Sequence, residues 1–524
     1  MSTLIPEPDG LAIDGRDPTV IRSFLRFLTS LFVAIIFWLI GVAVYRLYFH
    51  PLARYPGPWY MKISGWYDFF IAYGEHRHLH FQYLHQKYGP VVRYGPNELA
   101  YNTPSAFQAI YGFKANVQKG HAVTVGVTSD PDSRSTFSET DKQRAMKKRR
   151  VLSQGFSESA LSSAESFMIS QIETLCKQLA NTSTEKVKDL SLWLNYLAYD
   201  IMGEVVFGRS FDMLTDPSLR YVLSLIDASV FCTLLARVMP LLYKTGLIAF
   251  FVPKVLTMRK QFIKYVNSTV EQRLQQVPAS DKEDRKDFFY YLLNTRDSET
   301  GKPLSRTALL TEGLLLVTGG SDTTSTGMAA TIFYLLKYPR CLERLYEELS
   351  RTFDHVDEIR TGRKLKTCLY LRACVQEALR MAPPGPGILP RIVLEGGQLI
   401  DGAVIPAGTQ VGGAFWALAY NADTYPEPEV FRPERYLMED GRTEEEVDKS
   451  KGGYWAFSTG PRKCPGMKMA YQELYLTVAR LVYLFEMTPE KPEELEENFK
   501  LLDHFNVKKK GPFVSFNLRE GQTV

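Results

Sequence analysis

Between Arg26 and Arg46 the chain runs nineteen residues, Phe27 to Tyr45, without a charged side chain, in a stretch rich in Phe, Leu, Ile and Val with one Trp. At a rise of about 1.5 Å per residue, a helix of that length covers roughly the 30 Å hydrocarbon layer of a bilayer. Such a segment must be buried in a large core or placed in lipid. Arg22 and Arg26 before it and Arg46 after it bracket it as interfacial anchors, which favours lipid. A cleaved signal peptide fits less well, because the apolar stretch is long and no small-residue cleavage site follows. Positive charges nearly balance across the segment, so charge alone does not orient it. The expectation is one transmembrane helix over 27–45, after an N-terminal segment 1–26.

Behind it comes Tyr55-Pro56-Gly57-Pro58, where two prolines fix backbone angles and the glycine permits a sharp change of direction. Residues 46–58 therefore read as a Pro-rich hinge. From Trp59 to Val524 there is no Ser/Gly-rich linker, internal repeat or low-complexity tract, so 59–524 reads as one unusually large domain. With 45% hydrophobic and 23% charged residues, the chain can bury a large core and is not compositionally disordered. A formal charge of +4 and no long basic block argue against a nucleic-acid partner. The densest basic run, Lys147 to Arg150, reads as a solvated helix face. Cys176, Cys232, Cys341, Cys368, Cys374 and Cys464 are scattered, without a CxxC pair or a disulfide framework, which points to a reducing compartment. On that reading the glycosylation-type triplets at Asn181 and Asn267 are chance matches.

Apolar periodicity predicts helices over Ala160–Leu179, Leu192–Phe207, Val255–Gln275, Ser305–Tyr338, Arg340–Phe353, Leu369–Met381 and Met467–Leu484. Strand-like pieces are short: Val91–Arg93, Glu98–Tyr101, Ile392–Val393, Gln398–Ile405 and Phe513–Asn517. The fold class expected is mainly α with small β-sheets.

The most informative stretch is Phe457-Ser458-Thr459-Gly460-Pro461-Arg462-Lys463-Cys464-Pro465-Gly466, which leads into an apolar helix. Two fixed positive charges and a helix N-terminus beside a lone cysteine each favour thiolate. Gly460 and Gly466 allow the chain to approach a flat group closely. A thiolate opposite a planar iron macrocycle pushes electron density toward the metal and promotes cleavage of dioxygen. The pattern FxxGxRxCxG, formed by Phe457, Gly460, Arg462, Cys464 and Gly466, resembles the haem-binding loop of the cytochrome P450 superfamily. The resemblance implies a cytochrome P450 fold for 59–524 and a haem b whose iron takes Cys464 as its axial ligand.

Three further patterns fall where that superfamily places them. Thr318-Gly319-Gly320-Ser321-Asp322-Thr323-Thr324 puts two glycines inside a long helix, each costing about 1 kcal/mol relative to Ala. It resembles the superfamily's oxygen-binding kink, which makes Asp322 and Thr323 the catalytic pair that handles protons as dioxygen is split. Glu377-Ala378-Leu379-Arg380 resembles the ExxR motif, and Phe431-Arg432-Pro433-Glu434-Arg435 a PERF-type segment. Together they imply a structural cluster of Glu377, Arg380 and Arg435, fully hydrogen-bonded behind the haem. Haem carboxylates need cations, for which the match offers Arg462, Arg391 and Arg149. Ala145 departs from the pattern, standing where a Trp or His is usual, and Lys148 or a water is the expected substitute.

Tyr45 to Pro58, Asp200 to Leu214 with Phe207-Gly208, and Pro406-Ala407-Gly408-Thr409 extend the likeness, in the style of fungal microsomal members. It implies a single-pass anchor in the endoplasmic reticulum with the catalytic domain in the cytosol. It also implies a monooxygenase that takes NADPH-derived electrons from NADPH-cytochrome P450 reductase and uses O2 to oxidise a hydrophobic small molecule of secondary metabolism. Lys463 and Lys468 are candidates for a basic reductase-docking face. Rival readings are a reductase-independent isomerase or dehydratase on the same fold, and a non-catalytic membrane haem protein; the Asp322-Thr323 pair argues against the first. Pocket residues are expected from Val125–Thr136, Leu223–Phe251, Pro383–Leu389 and His504–Val507. His76, His78, His80 and His85 cluster, but no Cys or acidic ligand set and no HExxH accompany them, so a zinc site is not the favoured reading.

Overall fold

The computed structural model describes residues 18–120, 134–181, 186–275, 288–294, 301, 303–439 and 441–524. The chain divides into two compact units at Arg54/Tyr55. In the first, the helix Pro18–Val44 passes into a π-helical turn over Tyr45–Phe49. Its apolar side chains are turned outward, with Phe32 64% and Trp38 66% exposed. The apolar helical stretch Arg22–Phe49 is long enough to cross a bilayer, nine residues more than the expected 27–45, because helical geometry carries through Arg22, Arg26 and Arg46. A second apolar stretch, Pro217–Val238, passes the same length test but is more than half buried, which marks it as a core helix.

The second unit is mainly helical with small sheets. Its axis is the helix Arg306–Lys337, started by Ser305, whose Oγ accepts from Ala308 N. It packs on Leu190–Phe207, Leu369–Met381 and Met467–Leu484 within one large apolar cluster. Small residues set these approaches. A Cβ on Gly327 would sit 2.9 Å from both Leu379 and Leu474, and one on Gly320 2.6 Å from Met202 Sδ.

A five-stranded sheet runs in the order Val91–Gly95, Glu98–Tyr101, Gln410–Gly413, Arg391–Val393, Val117–Lys119. Only the Glu98–Tyr101 and Gln410–Gly413 pair is parallel. A three-stranded antiparallel sheet joins Val187–Asp189, Phe513–Leu518 and Phe485–Pro489. Leu501–His504 and Asn506–Lys509 form a tight hairpin. The stretch Gln398–Ile405, expected as one strand, is a hairpin of Gln398–Ile400 and Ala403–Ile405. Asp401 and Gly402 turn it at φ 44° and 78°, the left-handed pair that an Asp-Gly turn supplies.

Pro56-Gly57-Pro58, expected within a hinge, is pinned to the sheet. Arg93 N donates to Pro56 O at 2.7 Å. Gly57 stands at φ 152° with the Arg93 carbonyl where its Cβ would be.

Candidate active site

The segment before Met467 folds into a tight turn. Cys464 N donates to Phe457 O at 2.9 Å, Lys463 N to Gly460 O at 3.1 Å, and Ser458 N to Trp455 O at 2.8 Å. Gly460 has φ +64° and no room for a Cβ, which would lie 2.2 Å from Tyr111 O. Gly466 has an ordinary φ of −81°, and a Cβ there would meet Phe156 at 3.4 Å and Cys464 Sγ at 4.0 Å. Cys464 is exposed whereas the five other cysteines are buried. Its sulfur is reachable, yet it lies in a hollow of the protein. Burial pushes its thiol up, and the Gly466 N–H, Arg149 and Lys463 pull against that without winning. Bonding to a metal cation favours the thiolate against such burial.

Arg149, Arg391 and Arg462 converge beside this turn, and Lys119 joins them. Arg462 is pushed down to about 10 by burial and by Arg391 and Arg149. The Lys119 amine is pushed well down by burial and by Arg391, Arg462, Arg237 and Arg149. Their recorded hydrogen bonds go to main-chain carbonyls: Arg149 to Lys463 O, Arg391 to Leu389 O and Pro390 O, Arg462 to Thr140 O and Asp141 O, and Lys119 to Phe137 O. Arg462 Nη1 is buried without a partner. Four clustered cations with an unused donor fit an anionic ligand. Lys148, one of the two substitutes expected at Ala145, the other being a water, donates to Arg134 O. No motif marks Lys119, which reaches the cluster only because Val117–Lys119 pairs with Arg391–Val393.

On the long helix, Thr323 Oγ1 donates to Gly319 O at 2.7 Å. Asp322 Oδ1 accepts from Tyr199 OH at 3.0 Å. Burial pushes the Asp322 carboxyl up, while Lys509, Tyr199 and Asn506 act downward and Asp227 upward. The stretch lies inside the helix Arg306–Lys337. Thr318, Thr323, Thr324 and Thr326 each return a hydrogen bond to the carbonyl four residues back, so the polar run satisfies itself. Gly319 is exposed on the Thr323 side, whereas Gly320 packs on Met202.

Glu377, Arg380 and Arg435 meet in the interior. Glu377 Oε1 accepts from Arg380 Nη2 at 2.9 Å, Arg435 Nε at 3.0 Å and Arg432 N at 3.1 Å, and Oε2 accepts from Arg380 Nε at 2.8 Å. Burial opposes the charge, but the two guanidiniums and the Arg432 N–H hold the carboxyl below its usual range. Arg380 also donates to Ala419 O, and Arg435 to Pro426 O, Glu427 O and Val430 O.

Most of the expected Val125–Thr136 pocket segment lies outside the described residues. At its end, Thr136 N and Oγ1 both donate to Glu312 Oε1, at 2.6 and 2.8 Å. Phe231 and Phe251, from the second expected region, line a cavity of about 310 Å³ with Tyr73, Glu75 and Val252–Val255. Lys468 pairs with Glu158 at 3.1 Å on the surface. The histidines near the N-terminal end of the unit form no metal site among the described residues. His78 packs edge-on to Trp416 with ring centroids 4.7 Å apart, and His85 Nδ1 donates to Gly89 O at 2.9 Å.

A family model described as Cytochrome P450 matches residues 56–516. The chain belongs to the cytochrome P450 family. It is 36% identical to Cytochrome P450 monooxygenase AKT7 of Alternaria alternata, over 93% of this chain and 97% of that protein. It is 35% identical to Cytochrome P450 monooxygenase atnE of Emericella nidulans, over 91% and 94%. It is 33% identical to Cytochrome P450 monooxygenase fscF of Fusarium equiseti, over 89% and 90%. Membership in the P450 family implies a haem with a cysteine thiolate ligand and electrons from a reductase. In this P450 an accessible cysteine on a glycine-tightened turn beside four cations fits that group.

Proposed function

We propose that this P450 is a haem-thiolate monooxygenase that uses O2 and NADPH-derived electrons, delivered by NADPH-cytochrome P450 reductase, to oxidise an apolar small molecule of fungal secondary metabolism. The observation that carries the reading is Cys464, the one accessible cysteine among the described residues, beside Arg149, Arg391, Arg462 and Lys119. On this reading Cys464 would hold the iron, and Arg149, Arg391, Arg462 and Lys119 would receive the haem carboxylates. Haem so ligated supplies the activation of O2, with one oxygen atom going to the substrate and the other leaving as water. The residues of the chain supply position and protons. Thr323, hydrogen-bonded to Gly319 O, offers a hydroxyl oxygen on the open face of the helix. Asp322 beside it holds or releases a proton on the Tyr199 side. The Glu377–Arg380–Arg435 cluster fixes the loops behind the thiolate turn. The Arg22–Phe49 helix is the single-pass anchor in the endoplasmic reticulum, with the catalytic unit in the cytosol.

The test is the Soret absorption of the reduced, carbon monoxide-treated protein. A band characteristic of thiolate ligation, lost in Cys464→Ala, is the expected result; a band unchanged by that substitution sinks the proposal. Turnover that persists without NADPH and reductase instead identifies an isomerase or dehydratase.

A further inference from the structure

The 501–509 hairpin reaches Asp322 from a part of the chain that none of the P450 motifs marks. Lys509 Nζ donates to Asn195 Oδ1 and to Ser325 Oγ, both at 2.9 Å. Ser325 Oγ in turn contacts Asn195 Oδ1 and, at 3.0 Å, Asp322 O. Asn506, three residues earlier on the same strand, donates to Thr318 O at 3.3 Å, and its side chain also hydrogen-bonds Asp322. Thus one strand presses an ammonium and an amide onto the polar turn that contains Asp322, between the helices Leu190–Phe207 and Arg306–Lys337.

The other end of the hairpin is clamped. His504 Nδ1 lies 2.6 Å from Asp227 Oδ1, and Nε2 lies 2.7 Å from Glu75 Oε1. Two carboxylates can be satisfied at once only by an imidazole carrying both protons, and Lys508 adds a contact to Asp227 at 3.4 Å. Phe505 turns the hairpin at φ 86°, a left-handed conformation that strains a bulky residue. The strain is held in place by the Phe505 N bond to Asp503 Oδ1 and by Arg237 stacked 4.2 Å from the Phe505 ring.

A sequestered lysine is costly unless its charge is used. Burial pushes the Lys509 amine down to about 8, against the pull of Asp322, Asp227 and Asp189. Lys508 and Lys510 on either side are exposed, so the chain had solvated positions for these charges and still turned one of three consecutive lysines inward.

We infer that the 501–509 hairpin sets the ionisation of Asp322, with Lys509 as the positioning residue whose charge keeps that buried carboxyl deprotonated and able to take up a proton. The inference rests on the monooxygenase reading for its purpose but not for its test. Without the ammonium, burial and Asp227 act on Asp322 against only the Tyr199 and Asn506 hydrogen bonds, and the carboxyl protonates at a higher pH.

The experiment is an infrared pH titration of the full-length holoprotein. The carbonyl stretch of protonated Asp322 is identified by its loss in Asp322→Asn, and turnover coupling is followed in parallel. In Lys509→Met the midpoint should rise by about one pH unit or more. The acid limb of coupled product formation should rise with it, and Lys509→Arg should restore both. Lys509→Gln, which keeps a donor toward Asn195 and Ser325 but no charge, gives the same answer if Met is not tolerated. A midpoint and acid limb that stay at the wild-type pH in Lys509→Met or Lys509→Gln overturn the inference, even if thermal stability falls. Because the titration needs no turnover, a wild-type protein without the thiolate Soret band would remove the monooxygenase reading and leave the Lys509 result to stand or fall by itself.

Discussion

Replacing Glu377 by Gln removes one charge from an interior site that is otherwise unchanged in shape. The side chains of Glu377, Arg380 and Arg435 are 0–1% exposed, so solvent cannot compensate. Because Oε1 accepts three hydrogen bonds and Oε2 one, the glutamine carbonyl should take the Oε1 position and its NH2 the Oε2 position. There it meets Arg380 Nε donor to donor. One charge-assisted bond is lost, worth roughly 1.5–3 kcal/mol, and two guanidiniums are left sharing a neutral partner. Breaking a buried pair in this way costs about 3–5 kcal/mol. For a body of this size the entropy of unfolding corresponds to about 1 °C per kcal/mol, so the thermal midpoint should fall by about 3–5 °C. The control is Glu427→Gln, whose partner Arg432 is 2.6 Å away but whose own side chain is 60% exposed; the expected loss is under about 1 kcal/mol. Scanning fluorimetry of both variants, with haem content per chain measured alongside, checks the difference. Equal shifts in the two variants would refute the argument that the interior cluster holds the Ala419 to Arg435 loops.

In Gly460→Ala, the positive φ and the overlap with Tyr111 O should open the thiolate turn and lower haem content, whereas Gly466→Ala, with an ordinary φ, should fold normally; pyridine haemochrome quantification separates them, and equal haem loading would contradict the geometry. Burial holds His78 at about 3 and His85 at about 4, below the ordinary 6.5, so the unfolded chain takes up protons the folded one refuses. Their contribution to stability is complete above pH 6.5 and is lost as pH falls toward 4, by about 1.4 kcal/mol per pH unit for each ring. The slope of stability against pH over that range, from urea unfolding, should flatten in His78→Phe.

What the sequence carried, and what it did not, follows from the distance over which each feature is decided. Leu369–Met381 and Met467–Leu484 begin and end where their apolar runs do, because both pack on the long helix in the interior and local spacing states where such a run starts and stops. Glu377 with Arg380 is local too, and Arg435 carries its own motif. The Gly319-Gly320 pair was legible as a weak point but not as a division of labour. That one glycine stays open beside Thr323 while the other admits Met202 depends on a helix more than a hundred residues away. The same holds at Cys464. Neighbouring charges can be read from sequence, whereas the burial that outweighs them is a property of the whole fold. Lys509 is the extreme case. Nothing in three consecutive lysines distinguishes one from the next, and only the pairing of Leu501–His504 with Asn506–Lys509, locked by His504 onto Asp227 and Glu75, turns the middle one toward Asp322. A motif can therefore single out Asp322, but which groups surround a side chain kept from water is decided by pairings that a linear reading does not contain.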